Sequence, residues 1–278
     1  MTRHARIRKP SPAAAFWRDD ALPFIEARAV EDGRQLCYAR HSHDTFSIGA
    51  ITGGESTYIN REVHLRICAG TVVLMNPGDV HACNPIDGLP WSYVMLYVDA
   101  GWLASLQQAL GLSGGPCFQP LNSIMSLDRE LHAGVVRLYG ILTDRSVAAQ
   151  GKQEAATAFF TRMLQTLGTL SEPHGDAHDK LERAAAFIQE HCAEALKISD
   201  ICTAAELSPS YLIRAFKRLY GMTPHAFLLN QRVQLARLLL KQGLPLAEVA
   251  LASGFADQAH FQRAFKQLLA ATPGQYRG

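Results

Sequence analysis

The chain has 278 residues, 48% of them apolar, and 27 Lys/Arg against 25 Asp/Glu give a formal charge of +2. That length allows two domains with a core each, and no apolar run nears the ~20 residues of a membrane span, which excludes a spanning helix. Cys37, Cys68, Cys83, Cys117, Cys192 and Cys202 show no Cys-x-x-Cys spacing, so reduced thiols and a cytoplasmic chain are expected.

Residues 1–15 are basic at Arg3, Arg6, Arg8 and Lys9 but are broken by Pro10-Ser11-Pro12. Their apolar stretch is too short for a signal peptide, and they read as a disordered tail. From Phe24 to about Val98, strand-like runs at 36–39, 46–51, 56–59, 63–67, 71–75 and 91–98 alternate with turn signals. The signals are Gly53-Gly54, Asn60-Arg61, Ala69-Gly70, Asn76-Pro77-Gly78-Asp79 and Asp87-Gly88-Leu89-Pro90. Strands at this spacing predict an all-β sandwich or barrel over 16–100.

Within that region His41 and His43 stand at i and i+2 on an extended segment, so both imidazoles share a face. His81 follows the Asn76–Asp79 turn. The His-x-His segment and the later Pro-Gly-x-x-His segment resemble the cupin pattern, which implies three imidazoles meeting at a barrel mouth. In metal-binding cupins a glutamate stands four residues after the second His, where this chain has Ser47. Three His can hold zinc in an open site, or they can hydrogen-bond to the barrel or to an organic ligand. Both readings stay open, and no cofactor is assigned. Tyr58, Trp91 and Tyr93 complete the candidate ligand site as pocket aromatics. No carboxylate or nucleophile is spaced to couple with these histidines, so no catalytic residue is expected.

After Gly101 the pattern turns helical. Residues 102–110 form a short amphipathic helix, and the loop Ser113-Gly114-Gly115-Pro116 follows. Ser126 is the expected cap of a helix to about Arg145, with an apolar stripe at 127, 131, 135, 138 and 142. A second helix over 152–170 carries Phe160, Met163, Leu164, Leu167 and Leu170. The two stripes in 101–170 can pack back on the barrel or form a homodimer contact. Residues 171–179, apolar only at Ala177, read as an interdomain linker.

Residues 180–278 carry 12 Lys/Arg against 7 Asp/Glu, a positive excess that suits an anionic partner. Their organising feature is a repeat. Arg214–Phe227 returns as Arg263–Tyr276, offset by 49 residues, with 7 of 14 positions identical. A helix over 180–196 is followed by a short one capped at Ser199, a turn at Glu206-Leu207, and a helix over 209–220 with Ser208 as cap and Pro209 in its first turn. Its buried face is Leu212, Ala215, Phe216 and Leu219, and Gly221 stops it. A connecting helix over 224–242 ends at Gly243. Then a helix over 246–253, a turn at Gly254-Phe255-Ala256 and a helix over 257–269 repeat the unit. Each unit is two helices about a tight turn, a helix-turn-helix.

The outer faces of the second helices hold base-reading side chains. Arg214 and Arg263 can donate twice to guanine, Gln258 and Gln262 can pair with adenine, and Ile213 and Ala259 can meet thymine methyls. Lys217, Arg218 and Lys266 suit phosphate contacts, which position without specifying.

Residues 180–278 resemble the DNA-binding domain of the AraC/XylS family of bacterial transcription regulators. The resemblance rests on Gly254-Phe255-Ala256-Asp257, Phe261-Gln262-Arg263-Ala264-Phe265-Lys266 and Thr272-Pro273-Gly274-Gln275-Tyr276-Arg277. The fold it implies is α+β: a cupin-like effector-binding barrel with flanking helices, then an all-α domain of two helix-turn-helix units. It further implies base contacts from Ser210, Ile213, Arg214, Gln258, Ala259, Gln262 and Arg263. The partners implied are double-stranded promoter DNA, a small-molecule effector, RNA polymerase and a second copy of the chain. The alternative is a cupin dioxygenase or isomerase using His41, His43 and His81, fused to a DNA-binding domain. Two positions depart from the family pattern. Glu206 stands where the first turn usually has glycine, and Ala270 stands where the first repeat has Gly221, so the last helix is expected to run on toward Thr272-Pro273.

Overall fold

The computed structural model describes residues 15–113, 115–167 and 176–277. The expected tail up to residue 14, Gly114, Leu170, linker residues 171–175 and Gly278 lie outside these. The N-terminal part is an eight-stranded antiparallel sheet of β1 (Ala15–Trp17), β2 (Ile25–Val30), β3 (Phe46–Asn60), β4 (Val63–Cys68), β5 (Val72–Met75), β6 (His81–Pro85), β7 (Trp91–Val98) and β8 (Met125–Ser126). Along the sheet the order is β1-β2-β7-β3-β5-β8, and β4 and β6 pair with the far half of β3.

β3 is where the expected pattern changes most. The runs at 46–51 and 56–59 are halves of one 15-residue strand; Gly53-Gly54 pairs with Ser92 and Trp91 in it rather than forming a turn, and the bulge falls just before, at Thr52. The first half lies between β7 and β5, the second between β4 and β6. An extra residue bends a strand and raises its twist, so one strand serves both groups. Gly54 is required here. Its φ is +67°, and a Cβ on it would stand 1.9 Å from the Pro90 carbonyl oxygen. Residues 36–39 are not a strand; the Tyr38 backbone instead pairs with the Asn84 side chain.

Three helices follow: α1 (Ala100–Ala109), α2 (Arg129–Thr143) and α3 (Ala149–Thr166). The cap of α2 is Asp128, which accepts from Leu131 N–H at 2.7 Å, and not Ser126. The helix therefore starts later, and Leu127 is 68% exposed instead of joining the stripe. Val135, Leu138, Leu142, Phe160, Met163 and Leu164 share one core with Phe46, Ile48, Leu96 and Val98 of the sheet. One face of α2 and α3 thus packs on the barrel.

The C-terminal helices are α4 (Asp176–Glu190), α5 (Ile198–Ala205), α6 (Pro209–Tyr220), α7 (Pro224–Lys241), α8 (Leu246–Ala252), α9 (Gln258–Leu269) and α10 (Pro273–Arg277). Residues 176–179, expected in the linker, belong to α4. The cap of α5 is Lys197, two residues before Ser199, and its N–H is held by the Asp200 carboxylate. The repeat appears as two small cores, Ile188, Ile201, Leu212 and Phe216 in one and Val249, Phe261, Phe265 and Tyr276 in the other. α7 supplies Phe227 and Leu228 to the first and Val233, Ala236 and Leu240 to the second. It is the shared spine. Among the described residues no helix is long and apolar enough to cross a membrane.

Both departures from the family pattern are left-handed residues. Glu206 has φ 54° and Ala270 φ 47°, so α9 stops at Leu269 and does not run on. A non-glycine residue in this region costs ~1–2 kcal/mol. The exposed Glu206–Lys180 pair at 3.3 Å offsets little of that. Glu206→Gly is therefore expected to raise the melting temperature of the C-terminal helices by a few degrees, about 1 kcal/mol. An unchanged or lower value in a thermal melt would reject the strained-turn account.

Candidate effector pocket and nucleic-acid interface

An isolated bridge closes the end of the barrel: His41 N–H donates to His81 O at 3.1 Å, and His81 N–H to His41 O at 2.8 Å. It brings the two imidazoles to 4.4 Å between ring centroids, with His43 at 4.8 Å from His81. All three rings are buried. Each Nδ1 faces a backbone carbonyl: Ala39 O at 2.9 Å from His41, Thr45 O at 2.8 Å from His43, and Asp79 O at 2.8 Å from His81. A carbonyl only accepts, so each Nδ1 carries the proton and each Nε2 keeps its lone pair. Burial pushes His41 and His43 well below the usual histidine range, helped by neighbouring His81 and by Arg237. Burial also lowers His81, against the opposing effect of Asp79. The cluster is neutral at neutral pH.

The pocket over this cluster is lined by Tyr38, Ser47, Met75, Cys83, Met95 and Tyr97, together with the expected Trp91 and Tyr93. Alternation along β7 explains four of these, since Trp91, Tyr93, Met95 and Tyr97 share one face. Gly49 makes room, because a Cβ on it would meet Met95 Cε at 2.6 Å. Tyr58 does not line the pocket. It is fully buried in the core beside the pocket residues, its hydroxyl donating to Leu74 O at 2.6 Å.

The helical part closes over the barrel beside this pocket. Ser42, between the two pocket histidines, is held by α7. Its N–H donates to Asn230 Oδ1 at 3.2 Å, Asn230 Nδ2 donates to its hydroxyl at 3.0 Å, and Gln234 Nε2 donates to its carbonyl at 2.9 Å. Arg237 Nη1 in turn donates to Gln234 Oε1 at 2.7 Å. A second set of contacts comes from β2, which the sequence reading did not assign as a strand. Glu26, nearly buried, accepts from Arg18 and from Lys241, with Arg237 at 3.9 Å and the Tyr276 hydroxyl at 3.4 Å. Burial by itself would raise the Glu26 carboxyl, but Arg237, Lys241 and Arg18 outweigh it and bring it down to about 2. Arg28, 1% exposed, donates to the Tyr38 hydroxyl and to the Leu269 carbonyl. The signal for β2 was present in Ile25-Glu26-Ala27-Arg28-Ala29-Val30, which alternates apolar and charged residues. Its charged face meets another part of the protein instead of water.

Helices α6 and α9 leave their outer faces free. Ser210, Ile213, Arg214, Lys217, Arg218, Gln258, Ala259, Gln262, Arg263 and Lys266 are all exposed. Ile213 is 42% exposed and stands beside Arg214 on this face. Among the described residues no hydrogen bond occupies the side chains of Arg214, Lys217, Arg218, Arg263 or Lys266. α9 is capped by Asp257, which accepts from His260 N–H at 2.7 Å. α6 starts with Ser208 and Pro209 and stops at left-handed Gly221.

The AraC-like ligand binding domain family matches residues 25–160, and a helix-turn-helix domain family matches 201–278. The chain belongs to the AraC family of transcription regulators. It is similar to the uncharacterised regulator YbfI of Bacillus subtilis, 27% identical over 80% of this chain and 81% of that one. It is also similar to the transcriptional activator RhaS of Escherichia fergusonii, 25% identical over 93% and 95%. In fold it matches apo ToxT of Vibrio cholerae with a TM-score of 0.60 at 16% identity, covering 91% of this chain and 96% of that one. Like other AraC-family regulators, it joins a ligand-binding domain to a helix-turn-helix DNA-binding domain.

Proposed function

We propose that α6 and α9 read promoter DNA through the residues named above, while an effector in the histidine pocket sets how they are held. The observation that carries this reading is Ser42. It stands between His41 and His43, and three hydrogen bonds fix it to α7, the helix that joins both reading units. Anything that moves the two histidines moves the segment on which α7 rests. A ligand shifts such an equilibrium only by its difference in affinity for the two arrangements. The test is in-vitro selection of DNA bound by the full chain, with and without candidate effectors. A site spanning two adjacent major grooves, with effector-dependent recovery, is expected; recovery of random sequence would sink the reading.

Two substitutions separate the roles on the reading face. Arg263→Ala is expected to relax one base position of the selected site, as loss of a bidentate guanine contact would. Lys217→Ala is expected to weaken specific and random DNA alike and to lower the salt slope of binding by about one. A slope that does not change in a filter-binding titration removes Lys217 from the phosphate contacts.

RNA polymerase and a second copy of the chain are the further partners of this reading, in the cytoplasm. The groove between α2 and α3, ≈ 340 Å³ and lined by Gly134, Phe159 and Met163, supports the homodimer; sedimentation of the full chain tests it. The cupin-enzyme alternative is disfavoured by the pocket. Its cavity of ≈ 30 Å³ has room for one or two waters, not for an organic substrate beside a metal.

A further inference from the structure

Three features of the histidine cluster point one way. First, the ligand atoms of His41, His43 and His81 all lie within 4.8 Å of one another. A zinc-sized ion 2.0–2.1 Å from each needs them about 3.3 Å apart, so the segments that carry them draw in by at most about 1.5 Å on binding. Second, all three Nδ1–H groups are spent on backbone carbonyls at 2.8–2.9 Å. A hydrogen bond on the far ring nitrogen fixes the tautomer and orientation of a metal-ligating histidine and raises its basicity. Here all three rings are set that way with no ligand needed to order them. Third, the free space at their tips is ≈ 30 Å³, large enough for an ion with one small ligand such as water and too small for a sugar or a fatty chain.

We propose that His41, His43 and His81 bind one divalent transition-metal ion, of the zinc, cobalt or nickel class, through their three Nε2 atoms, and that this ion is the effector of the barrel. The second half of the proposal rests on the reading of the barrel as the sensing part. Three neutral nitrogens suit these ions, whereas magnesium and calcium demand oxygens. The set differs from the cupin pattern because Ser47 replaces the glutamate; the Ser47 hydroxyl lies 3.3 Å from His43 Nε2. No protein carboxylate then balances the ion, and the guanidinium groups of Arg28 and Arg237 face the same cluster. The fourth position therefore takes an anion such as hydroxide.

The experiment is titration of the chelator-stripped full chain with Co²⁺, followed by its visible d–d absorption, then displacement by Zn²⁺. Intense bands of four-coordinate cobalt saturating near one ion per chain are expected. Apparent affinity should fall by about 100-fold or more in His43→Ala and in His81→Ala, judged against losses of 10–100-fold for outer-shell partners alone. His64→Ala, on the exposed strand β4, should bind as the wild type does. Absence of the bands in the wild-type chain overturns the metal site, whether or not any variant folds, and so do bands that survive both His substitutions in folded protein. The same samples are then tested on the selected DNA site. A change in affinity of about 5-fold or more on adding equimolar Zn²⁺ supports the ion as effector. Unchanged affinity with the bands present removes the ion as effector and leaves the site. Absent bands with a metabolite-dependent DNA affinity remove the metal and leave the sensing reading intact.

Discussion

Glu26→Gln is expected to destabilise the full chain by about 3–5 kcal/mol, most of it as loss of the contact between barrel and helical part. The carboxylate of Glu26 is nearly buried and answers Arg18, Lys241 and Arg237 together. Removing one member of a buried ion pair leaves the others desolvated and unpaired, and that exceeds the worth of the pair itself. Arg237 suffers most, because it is itself buried, with its Nε on the Tyr276 hydroxyl at 3.1 Å. The control is Glu55→Gln. Glu55 also pairs with an arginine, Arg66, but both side chains are largely in water, and a change within about 0.5 kcal/mol is expected. Equal effects of the two substitutions in chemical denaturation would refute the special role of Glu26.

The same residue gives a pH dependence with a fixed sign. Its carboxyl is held at about 2 when folded, from 4.5 ordinarily. A carboxylate depressed on folding contributes stability that is complete above the unfolded value and is lost as pH falls toward the folded one. Wild-type stability should therefore fall between about pH 5 and pH 2, by about 3 kcal/mol from this group in full. Glu26→Gln should lack that component, so the two profiles converge in acid. Parallel profiles would mean that the carboxylate is not ionised in the folded chain.

What the sequence disclosed and what it hid divide along range. Helices α6 and α9 were legible almost to the residue because their signals are local. Pro209 begins α6, Gly221 ends it, Asp257 caps α9 and Gly243 follows α7. Ser126 and Ser199 have the residue type of a cap, but the Asp128 carboxylate and the Lys197 N–H held by Asp200 occupy those helix ends instead. In the barrel, Gly53-Gly54 reads as a turn from its neighbours alone; only the Pro90 backbone pressing on Gly54 shows why glycine stands in a continuous strand. The His-x-His and Pro-Gly-x-x-His spacing found all three pocket histidines. Tyr58 shares the core of the pocket residues but does not line the pocket, because its hydroxyl is tied to the Leu74 carbonyl, a long-range contact that spacing does not reveal. Glu26, Arg28, Ser42, Asn230 and Arg237 act across separations of about two hundred residues, beyond any periodicity, and they were missed entirely.

The paired substitution Asn230→Ala with Gln234→Ala is expected to separate sensing from reading. Ser42 contributes its N–H, hydroxyl and carbonyl to α7, and these two side chains take all three. Neither lines the pocket, and neither lies on the outer face of α6 or α9. Effector affinity and affinity for the DNA site should each stay within a few-fold of wild type when measured alone. Their mutual dependence should collapse, from the ~5–150-fold typical of coupled sites toward one. Reciprocity supplies the internal check, since the factor by which effector changes DNA affinity must equal the factor by which DNA changes effector affinity. Both must fall together in the variant. A variant that retains wild-type coupling would show that the signal reaches α6 and α9 by another route, with the Glu26 cluster on β2 the next contact to remove.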